Sequence, residues 1–191
     1  MMAITGVILA GGESRRMGGE DKGLLPLHGQ PLYQHVLQRL KPQVAELLIS
    51  ANRNLPHYQL SGVKVINDTL PDFPGPLAGM LSALRVINTE WAVFCACDTP
   101  FIPMDYVARL WQHKGAAQAV WVRSTQRDHP TLAMLHRDLA KSLEVYLLRG
   151  ERRLLQFLHQ AGGHAVDFPD DESVFSNINT PDELANLGGR S

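Results

Sequence analysis

The feature that most constrains the fold is a short apolar run, residues 4–10, that leads directly into a loop rich in glycine and basic residues. The run is short and β-branched, which favours a buried strand over a helix. The loop, residues 11–22, opens with two glycines, so a ligand can approach its backbone closely. Arg15, Arg16 and Lys22 supply cationic donors for phosphate oxygens. We therefore expect a strand followed by a phosphate-binding loop, in a protein that handles a nucleotide.

Strand-like and helix-like segments alternate along the chain, which is the pattern of a mostly parallel sheet covered by helices on both faces. Strands are predicted over residues 4–10, 46–51, 63–67, 91–97 and 119–122. Helices are predicted over 32–40, 77–87, 105–111, 139–148 and 152–160, with shorter extended segments over 131–135, 165–168 and 174–178. A last helix is predicted from Thr180, an N-cap residue before Pro181 with Glu183 completing a capping box. No linker or repeat divides the sequence, so we expect one α/β domain over residues 1–191.

The composition argues against several classes of protein. A length of 191 residues suits one domain with a full core, and a net charge of −1 gives no general field for attracting nucleic acid. No apolar run approaches the roughly 18 residues of a membrane span, and the N-terminal run lacks the basic leader and cleavage site of a signal peptide. Cys95 and Cys97 lie two apart on a predicted strand, where they cannot readily bridge, so we expect reduced core cysteines. These features predict a cytoplasmic protein that acts on a small molecule.

Polar residues follow several predicted strands, at the sheet edge where α/β proteins bind ligands. Asn52 and Arg53 follow the second strand, Asp68 follows the third and Asp98 follows the fourth. Asp98 is a candidate Mg²⁺ ligand, because this ion is held by one or two carboxylates together with substrate phosphates. The alternative is a structural role, since Asp98 can cap a turn before Pro100 and Asp68 can cap the segment that follows it.

The sequence lacks the motifs of several common enzyme classes. It contains no P-loop, no dinucleotide fingerprint and no zinc-protease or nucleophile-elbow motif. His129 is either a pocket residue or a structural one, and no nucleophile and base stand out together. This pattern suits nucleotidyl transfer to a phosphate, because a phosphate is already anionic at neutral pH and needs no general base. Such an enzyme supplies alignment and positive charge, which Arg16, Lys22 and a metal ion on Asp98 can provide.

Several longer motifs occur in order along nearly the whole chain. They are Leu9-Ala10-Gly11-Gly12, Arg16-Met17-Gly18 with Lys22, Asn67-Asp68, Gly75-Pro76-Leu77-Ala78-Gly79, Cys97-Asp98-Thr99-Pro100 and Asn177-Ile178-Asn179-Thr180-Pro181. Together they resemble the motifs of the molybdenum cofactor guanylyltransferase family. Cytidylyl relatives typically have Leu-Ala-Ala-Gly in the loop and Asp-Gln-Pro after the metal strand. Gly12 after Gly11 and Thr99 after Asp98 therefore favour guanine.

The resemblance implies a Rossmann-like three-layer nucleotidyltransferase fold and transfer of GMP from GTP to the terminal phosphate of the molybdenum-molybdopterin cofactor, with Mg²⁺. Lys22, Asp98 and Arg16 would be catalytic, and Asp98 would also bind the metal. The resemblance places the GTP site in the N-terminal part, at Leu9, Ala10, Gly11, Gly12, Lys22, Ser50, Asn52, Asp68, Gly75, Pro76, Leu77, Gly79 and Asp98. Asn177 and Asn179, in the C-terminal part, would lie toward the pterin. The family often has Asn-Ala-Asn-Arg after the second strand, and Ser50 stands here in place of the first Asn.

Structural roles remain open for some of these residues. Arg15 and Arg16 can lie in a solvated loop, residues 75–79 can be only a turn that starts a helix, and Asn177 and Asn179 can bind backbone groups at a sheet edge. Two other functions are also open: a cytidylyl or sugar-phosphate nucleotidyltransferase with the same fold, and a non-catalytic GTP-binding module. We expect a monomer that makes transient contacts with cofactor-supplying and molybdoenzyme-maturation proteins.

Overall fold

Strands and helices alternate in the computed structural model, which describes residues 2–10, 21–67 and 75–175. The strands are β1 (Ile4–Leu9), β2 (Pro26–Leu27), β3 (Gln30–Pro31), β4 (Glu46–Ser50), β5 (Lys64–Ile66), β6 (Trp91–Ala96), β7 (Ala119–Arg123), β8 (Asp128–His136) and β9 (His164–Asp167). The helices are α1 (Leu32–Leu40), α2 (Leu55–Gln59), α3 (Pro76–Val86), α4 (Tyr106–His113), α5 (Ala140–Leu148) and α6 (Leu154–Gln160).

One sheet of seven strands has the order β5-β4-β1-β6-β8-β7-β9, and β2 and β3 form a separate two-stranded hairpin. Strand β1 pairs in parallel with both β4 and β6, and β4 pairs in parallel with β5. Strand β8 is antiparallel to its neighbours β6 and β7, while β9 is parallel to β7. Every strand of this sheet except β8 therefore runs in the same direction. Their carboxyl ends share one edge, which is the edge where α/β proteins bind ligands.

The alternation of side chains along the strands builds two cores, because successive residues of a strand point to opposite faces. On β1, Ile4 and Ile8 pack with buried side chains of α1, α2 and α4. Val7 points the other way and packs with buried side chains of α3, α5 and α6. The three layers and the mostly parallel sheet confirm the predicted fold class. In the described part of the chain, none of the helices is long and apolar enough to cross a membrane.

The sheet divides near its carboxyl edge. The pairing of β6 with β8 ends at Phe94 and Ala133, and the pairing of β8 with β7 changes register between Trp121 and Val122. The buried Tyr106 hydroxyl donates to the Phe94 carbonyl across 2.6 Å at the point where the pairing stops. Beyond this point β6 runs on toward Asp98, paired with β1, while the start of β8 stays with β7. The two halves of the sheet edge are thus separate.

Most predicted elements are confirmed, with shifts of a few residues at their ends. The extended segment predicted over 174–178 is wrong at Val174, which lies in a 3-10 turn, Glu172–Val174, because the Asp171 carboxylate caps that turn by accepting from the Ser173 N–H. The helix predicted from Thr180 lies outside the described residues. The sequence analysis did not predict α2 or the β2–β3 hairpin. Cys95 and Cys97 are buried free thiols, as expected.

Replacing Tyr106 by Phe removes the buried hydrogen bond at the point where the sheet divides. We expect the free energy of unfolding to fall by about 1 kcal/mol, the usual net contribution of such a bond. Urea unfolding measures this change. Tyr33→Phe is the control, because its hydroxyl donates a longer bond of 3.4 Å to the His57 carbonyl. Equal losses in the two variants would contradict the assigned role of Tyr106.

Candidate active site

The ends of β1, β4 and β6 meet at the carboxyl edge of the sheet. The Ala10 N–H donates to the Ser50 carbonyl across 2.8 Å, and the Cys97 N–H donates to the Leu9 carbonyl across 3.0 Å. These bonds extend the parallel pairing one residue past each strand. They bring Leu9, Ala10 and Ser50 close to Asp98, which follows Cys97 directly. Four of the predicted site residues are therefore assembled by the sheet itself.

Lys22 reaches the same edge from a different segment. Its Nζ lies 3.7 Å from Asp98 Oδ2, with the Lys22 side chain 22% exposed and the Asp98 side chain 10% exposed. A cation and a carboxylate at this distance in a partly buried setting attract each other more strongly than an exposed pair. The structure thus brings together two of the three residues that the resemblance implies to be catalytic, Lys22 and Asp98.

A buried carboxylate fixes the turn that carries Lys22. Residues Lys22–Leu24 form a 3-10 turn, and Asp21 Oδ1 accepts from the Gly23 N–H across 3.1 Å. The other oxygen, Asp21 Oδ2, accepts from Asn54 Nδ2 across 3.2 Å. Asp21 is only 6% exposed, and a buried carboxylate depends on such donors. Asp21 therefore ties the lysine turn to the loop that follows β4.

Gly23 allows the turn to lie against the end of β6. A Cβ atom at this position would stand 2.6 Å from the Tyr58 hydroxyl oxygen and 3.2 Å from Cys97 Cβ. No larger residue fits without moving the turn, because the Tyr58 ring is rigid and fully buried. Burial, then the neighbouring Cys97 and Asp21, raises the pKa of Tyr58, so its hydroxyl stays protonated. The packing of Gly23 sets how near Lys22 comes to Asp98.

The start of α3 has features that suit an anion. Gly75 precedes the helix with a φ of 95°, a value that favours glycine, and Pro76 occupies the first turn. Gly75, the N-cap residue, has no side chain that could accept from the first N–H groups of the helix, those of Leu77 and Ala78, which point toward the helix start. Helix α3 leads into β6, so it runs from the carboxyl edge of the sheet to the opposite edge, where β6 begins. The N-terminus of α3 therefore lies at the same edge as Asp98. A helix N-terminus favours anions such as phosphate.

The structure limits what some predicted residues can do. The Leu9 carbonyl and the Ala10 N–H are already bonded within the sheet, so their contacts with a nucleotide must use other atoms. Ser50 is buried at the end of β4, while Asn52 is exposed in the loop after it. Leu77 and Gly79 are buried within α3, and residues 75–79 form the start of this helix. Six of the predicted site residues lie outside the described part of the chain: Gly11, Gly12, Arg16, Asp68, Asn177 and Asn179.

The Asp98 carboxylate is of the type that binds Mg²⁺. In the three described ranges, no group of three or more His, Cys, Asp or Glu residues is arranged to hold a metal ion. Asp98 offers one carboxylate beside a lysine that suits a phosphate. Magnesium is commonly bound in this way, with the nucleotide supplying further oxygens.

His129 lies at the same edge, on the far side of the division in the sheet. It is buried, and its Nε2 lies 3.1 Å from both Ser124 Oγ and Glu172 Oε1. Burial, followed by the nearby Arg127, lowers the pKa of His129, so the ring is neutral at neutral pH. The structure therefore gives His129 a defined hydrogen-bonding role.

Sequence reasoning missed Asp21, Gly23, Asn54 and Tyr58. The signal for Asp21 is the spacing Asp-Lys-Gly, since Asp often accepts from the backbone N–H two residues on. No comparable signal marks Asn54 or Tyr58, because their contribution depends on the fold bringing α2 against the lysine turn.

Replacing Gly23 by Ala tests how tightly the turn is packed. We expect this variant to lose about 1–3 kcal/mol of unfolding free energy, the usual cost of overpacking a core. Urea unfolding measures the loss. The double variant Gly23→Ala/Tyr58→Phe removes the nearest clashing atom and should recover part of it. An additive double variant, with no recovery, would contradict the contact with Tyr58 as the cause.

The sequence is similar to that of proteins with a stated activity. Residues 6–164 match the family described as a MobA-like NTP transferase domain. The molybdenum cofactor guanylyltransferase of Serratia proteamaculans is 52% identical over 180 residues, which cover 94% of this chain and 91% of that protein. The protein of the same name from Yersinia pseudotuberculosis is 52% identical over 178 residues, which cover 93% and 91% of the two chains.

Solved structures are similar in fold. Molybdopterin-guanine dinucleotide biosynthesis protein A from Archaeoglobus fulgidus has a TM-score of 0.77 at 28% identity, over 96% of both chains. A CMP:2-keto-3-deoxy-manno-octonic acid synthetase complexed with CTP has a TM-score of 0.79 at 17% identity over 97% of both chains, which indicates a shared fold alone. Because the family match spans most of the sequence and the relatives are about half identical, the chain belongs to the MobA-like nucleotidyltransferase family, that of the molybdenum cofactor guanylyltransferases.

Proposed function

We propose that the protein transfers GMP from GTP to the terminal phosphate of the molybdenum-molybdopterin cofactor, releasing pyrophosphate and forming the guanine dinucleotide cofactor. The observation that carries this proposal is the Lys22–Asp98 pair at the carboxyl edge of the sheet, 3.7 Å apart. The 52% identity with proteins named molybdenum cofactor guanylyltransferase supports the choice of donor and acceptor. We also propose that the chain is one nucleotidyltransferase domain, with GTP bound by its N-terminal part and the acceptor by its C-terminal part.

The chemistry needs no general base from the protein. The attacking oxygen belongs to the acceptor phosphate, whose second pKa is near 6, so it is anionic at neutral pH. An in-line attack on the α-phosphorus of GTP forms the new P–O–P bond and expels pyrophosphate. The protein's contribution is to align the two phosphates and to hold positive charge beside the oxygens that become more negative.

Lys22 supplies this positive charge. Its Nζ sits beside Asp98 and can donate to the GTP phosphates as a compact cation. Asp98 would hold Mg²⁺, which when bound neutralises phosphate oxygens and orients the α-phosphorus. The N–H groups at the start of α3 would bind another phosphate oxygen from the opposite side. Arg16, from the glycine loop, would add charge to the leaving pyrophosphate.

Other residues would recognise the rest of the two substrates. The nucleotide would contact the backbone of four residues after and at the end of β1: Leu9, Ala10, Gly11 and Gly12. Asp68 would bind the guanosine, and Ser50 and Asn52 would line the neighbouring side of the site. Asn177 and Asn179 would contact the pterin of the acceptor. We further propose that the protein acts as a monomer in the cytoplasm and meets cofactor-supplying and molybdoenzyme-maturation proteins transiently.

A cytidylyl or sugar-phosphate transferase is the competing enzyme. It shares the fold, as the similarity to a CTP-bound synthetase indicates. The residues that follow the two strand ends, Gly12 and Thr99, favour guanine over cytosine. A non-catalytic GTP-binding module is the third alternative. Such a module would bind GTP without converting the acceptor, so an assay of acceptor turnover distinguishes it from both enzymes.

Lys22→Ala should lower kcat by on the order of 10²–10³, the usual effect of losing one preorganised donor to the transition state. Release of pyrophosphate with GTP, Mg²⁺ and molybdenum cofactor measures the rate. Lys141→Ala is the control, because it removes an exposed lysine of α5. Circular dichroism checks that both variants are folded. A near-normal rate for Lys22→Ala would contradict the role of this residue.

Asp98→Ala should abolish the activation of the enzyme by Mg²⁺, because the variant loses the carboxylate proposed to hold the ion. A titration of the initial rate with Mg²⁺ measures this effect. Asp138→Ala, which removes an exposed carboxylate at the opposite end of the sheet, should keep the wild-type titration curve. Normal activation of Asp98→Ala would show that another residue holds the metal.

A further inference from the structure

The ammonium of Lys22 lies beside the carboxylate that is proposed to hold Mg²⁺. Its Nζ is 3.7 Å from Asp98 Oδ2, and the Asp98 side chain is only 10% exposed. Because the two oxygens of one carboxylate are close together, a metal ion on either of them would lie within a few ångströms of this ammonium. The two positive charges repel each other, and the repulsion is strong where little water separates them. Lys22 and a metal ion therefore compete for Asp98.

The backbone on both sides of this ion pair is held in place. Asp21 fixes the lysine turn through the Gly23 N–H and the loop after β4. Beside Asp98, the Thr99 N–H donates to the Ala96 carbonyl across 3.3 Å. A metal ion that enters the site does not simply push the two segments apart, because these bonds and the surrounding packing oppose that movement. The side chain of the lysine is the part that must move.

The Lys22 side chain can leave Asp98 without a change in the backbone. The separation of 3.7 Å is longer than a hydrogen bond, roughly 2.7–3.2 Å, so charge alone holds this pair together. The side chain is 22% exposed, and the stem of a lysine is flexible. A polyanion at the opening of the site can therefore draw the ammonium away from Asp98. The triphosphate of GTP is such a polyanion.

The metal ion also needs the nucleotide for its remaining ligands. Across residues 2–10, 21–67 and 75–175, no three or more His, Cys, Asp or Glu residues are grouped so that they could hold a metal ion. A site with one or two carboxylates holds Mg²⁺ together with waters and substrate phosphates. GTP would therefore favour the metal in two ways, by supplying phosphate oxygens and by releasing Asp98 from Lys22.

We infer that Lys22 lowers the affinity of Asp98 for a metal ion in the free protein, and that GTP relieves this effect by binding the ammonium. Mg²⁺ and GTP then bind to the protein with positive coupling, and each raises the affinity for the other by the same factor. Lys22 thus acts on the metal as well as on the phosphates. The part of this inference that concerns GTP rests on the proposed function, whereas the competition for Asp98 in the free protein does not require turnover.

Replacing Lys22 by Met tests the competition, because Met removes the charge and keeps a long, flexible side chain. We expect the nucleotide-free Lys22→Met protein to bind Mn²⁺ on the order of tenfold more tightly than the wild type, since the repulsion is gone. Mn²⁺ serves as the probe because it accepts the same oxygen ligands as Mg²⁺. Electron paramagnetic resonance of the free ion measures the dissociation constant. Equal or weaker binding of Mn²⁺ by Lys22→Met would overturn the inference.

Two control variants show whether the gain arises at Asp98. Lys141→Met removes one positive charge from an exposed position on α5 and should bind Mn²⁺ as the wild type does. The double variant Lys22→Met/Asp98→Asn lacks the carboxylate and should lose the gain. A similar gain in Lys141→Met, or a gain that persists in the double variant, would overturn competition at Asp98 as the cause.

Binding of GTP in the absence of metal should change in the opposite direction. With EDTA present, Lys22→Met should bind GTP on the order of tenfold more weakly than the wild type, because the phosphates lose a cationic partner. Damage to the fold would weaken the binding of both ligands, so opposite changes distinguish competition from a structural defect. Unchanged binding of GTP would overturn the coupling. If the wild-type protein formed no dinucleotide, the proposed function would fail, and the Mn²⁺ titration would still decide whether Lys22 competes for Asp98.

Discussion

The buried carboxylate of Asp21 is the constraint on which the candidate site depends most. It joins the turn that carries Lys22 to the loop after β4, through the Gly23 N–H and the Asn54 side chain. The parallel pairing of β1 with β4 and β6 then determines where Asp98 stands relative to that turn. Because a buried carboxylate without donors is costly, the turn is strongly favoured in a single conformation. Lys22 is thus placed beside Asp98 before any substrate binds, which reduces the reorganisation needed during the reaction.

The division of the sheet at Phe94 separates two groups of polar contacts at its carboxyl edge. Lys22, Asp98 and the start of α3 lie around β1, β4 and β6, and they would hold the donor nucleotide. The Arg109–Asp170 and His129–Glu172 contacts lie on the other half, around β7, β8, β9 and α4. An enzyme whose nucleophile comes with its substrate works chiefly by alignment, which is why the proposed reaction needs no base from the protein.

The periodicity of the sequence was enough to predict the layers, most strands and most helices, because each buries a clear apolar face. The proximity of Lys22 and Asp98 at the carboxyl edge could also be expected from the sequence, since one lies in the loop after the first apolar strand and the other directly follows a later one. The contributions of Asn54 and Tyr58 could not be expected, because they act through a short helix that only tertiary packing stabilises. Val174 was assigned to an extended segment, but a local Asp171 cap overrides that weak preference. The sequence left open whether His129 lines a pocket or has a structural role, because its hydrogen-bond partner Glu172 lies 43 residues away in the chain.

The most direct test of the account is to incubate the purified protein with Mg²⁺ and molybdenum cofactor, with GTP or CTP in separate reactions, and to identify the dinucleotide by mass spectrometry. The account predicts the guanine dinucleotide and an equal amount of pyrophosphate from GTP, with little product from CTP. A preference for CTP would contradict the assignment of guanine. Binding of GTP without formation of any dinucleotide would contradict the assignment of catalysis.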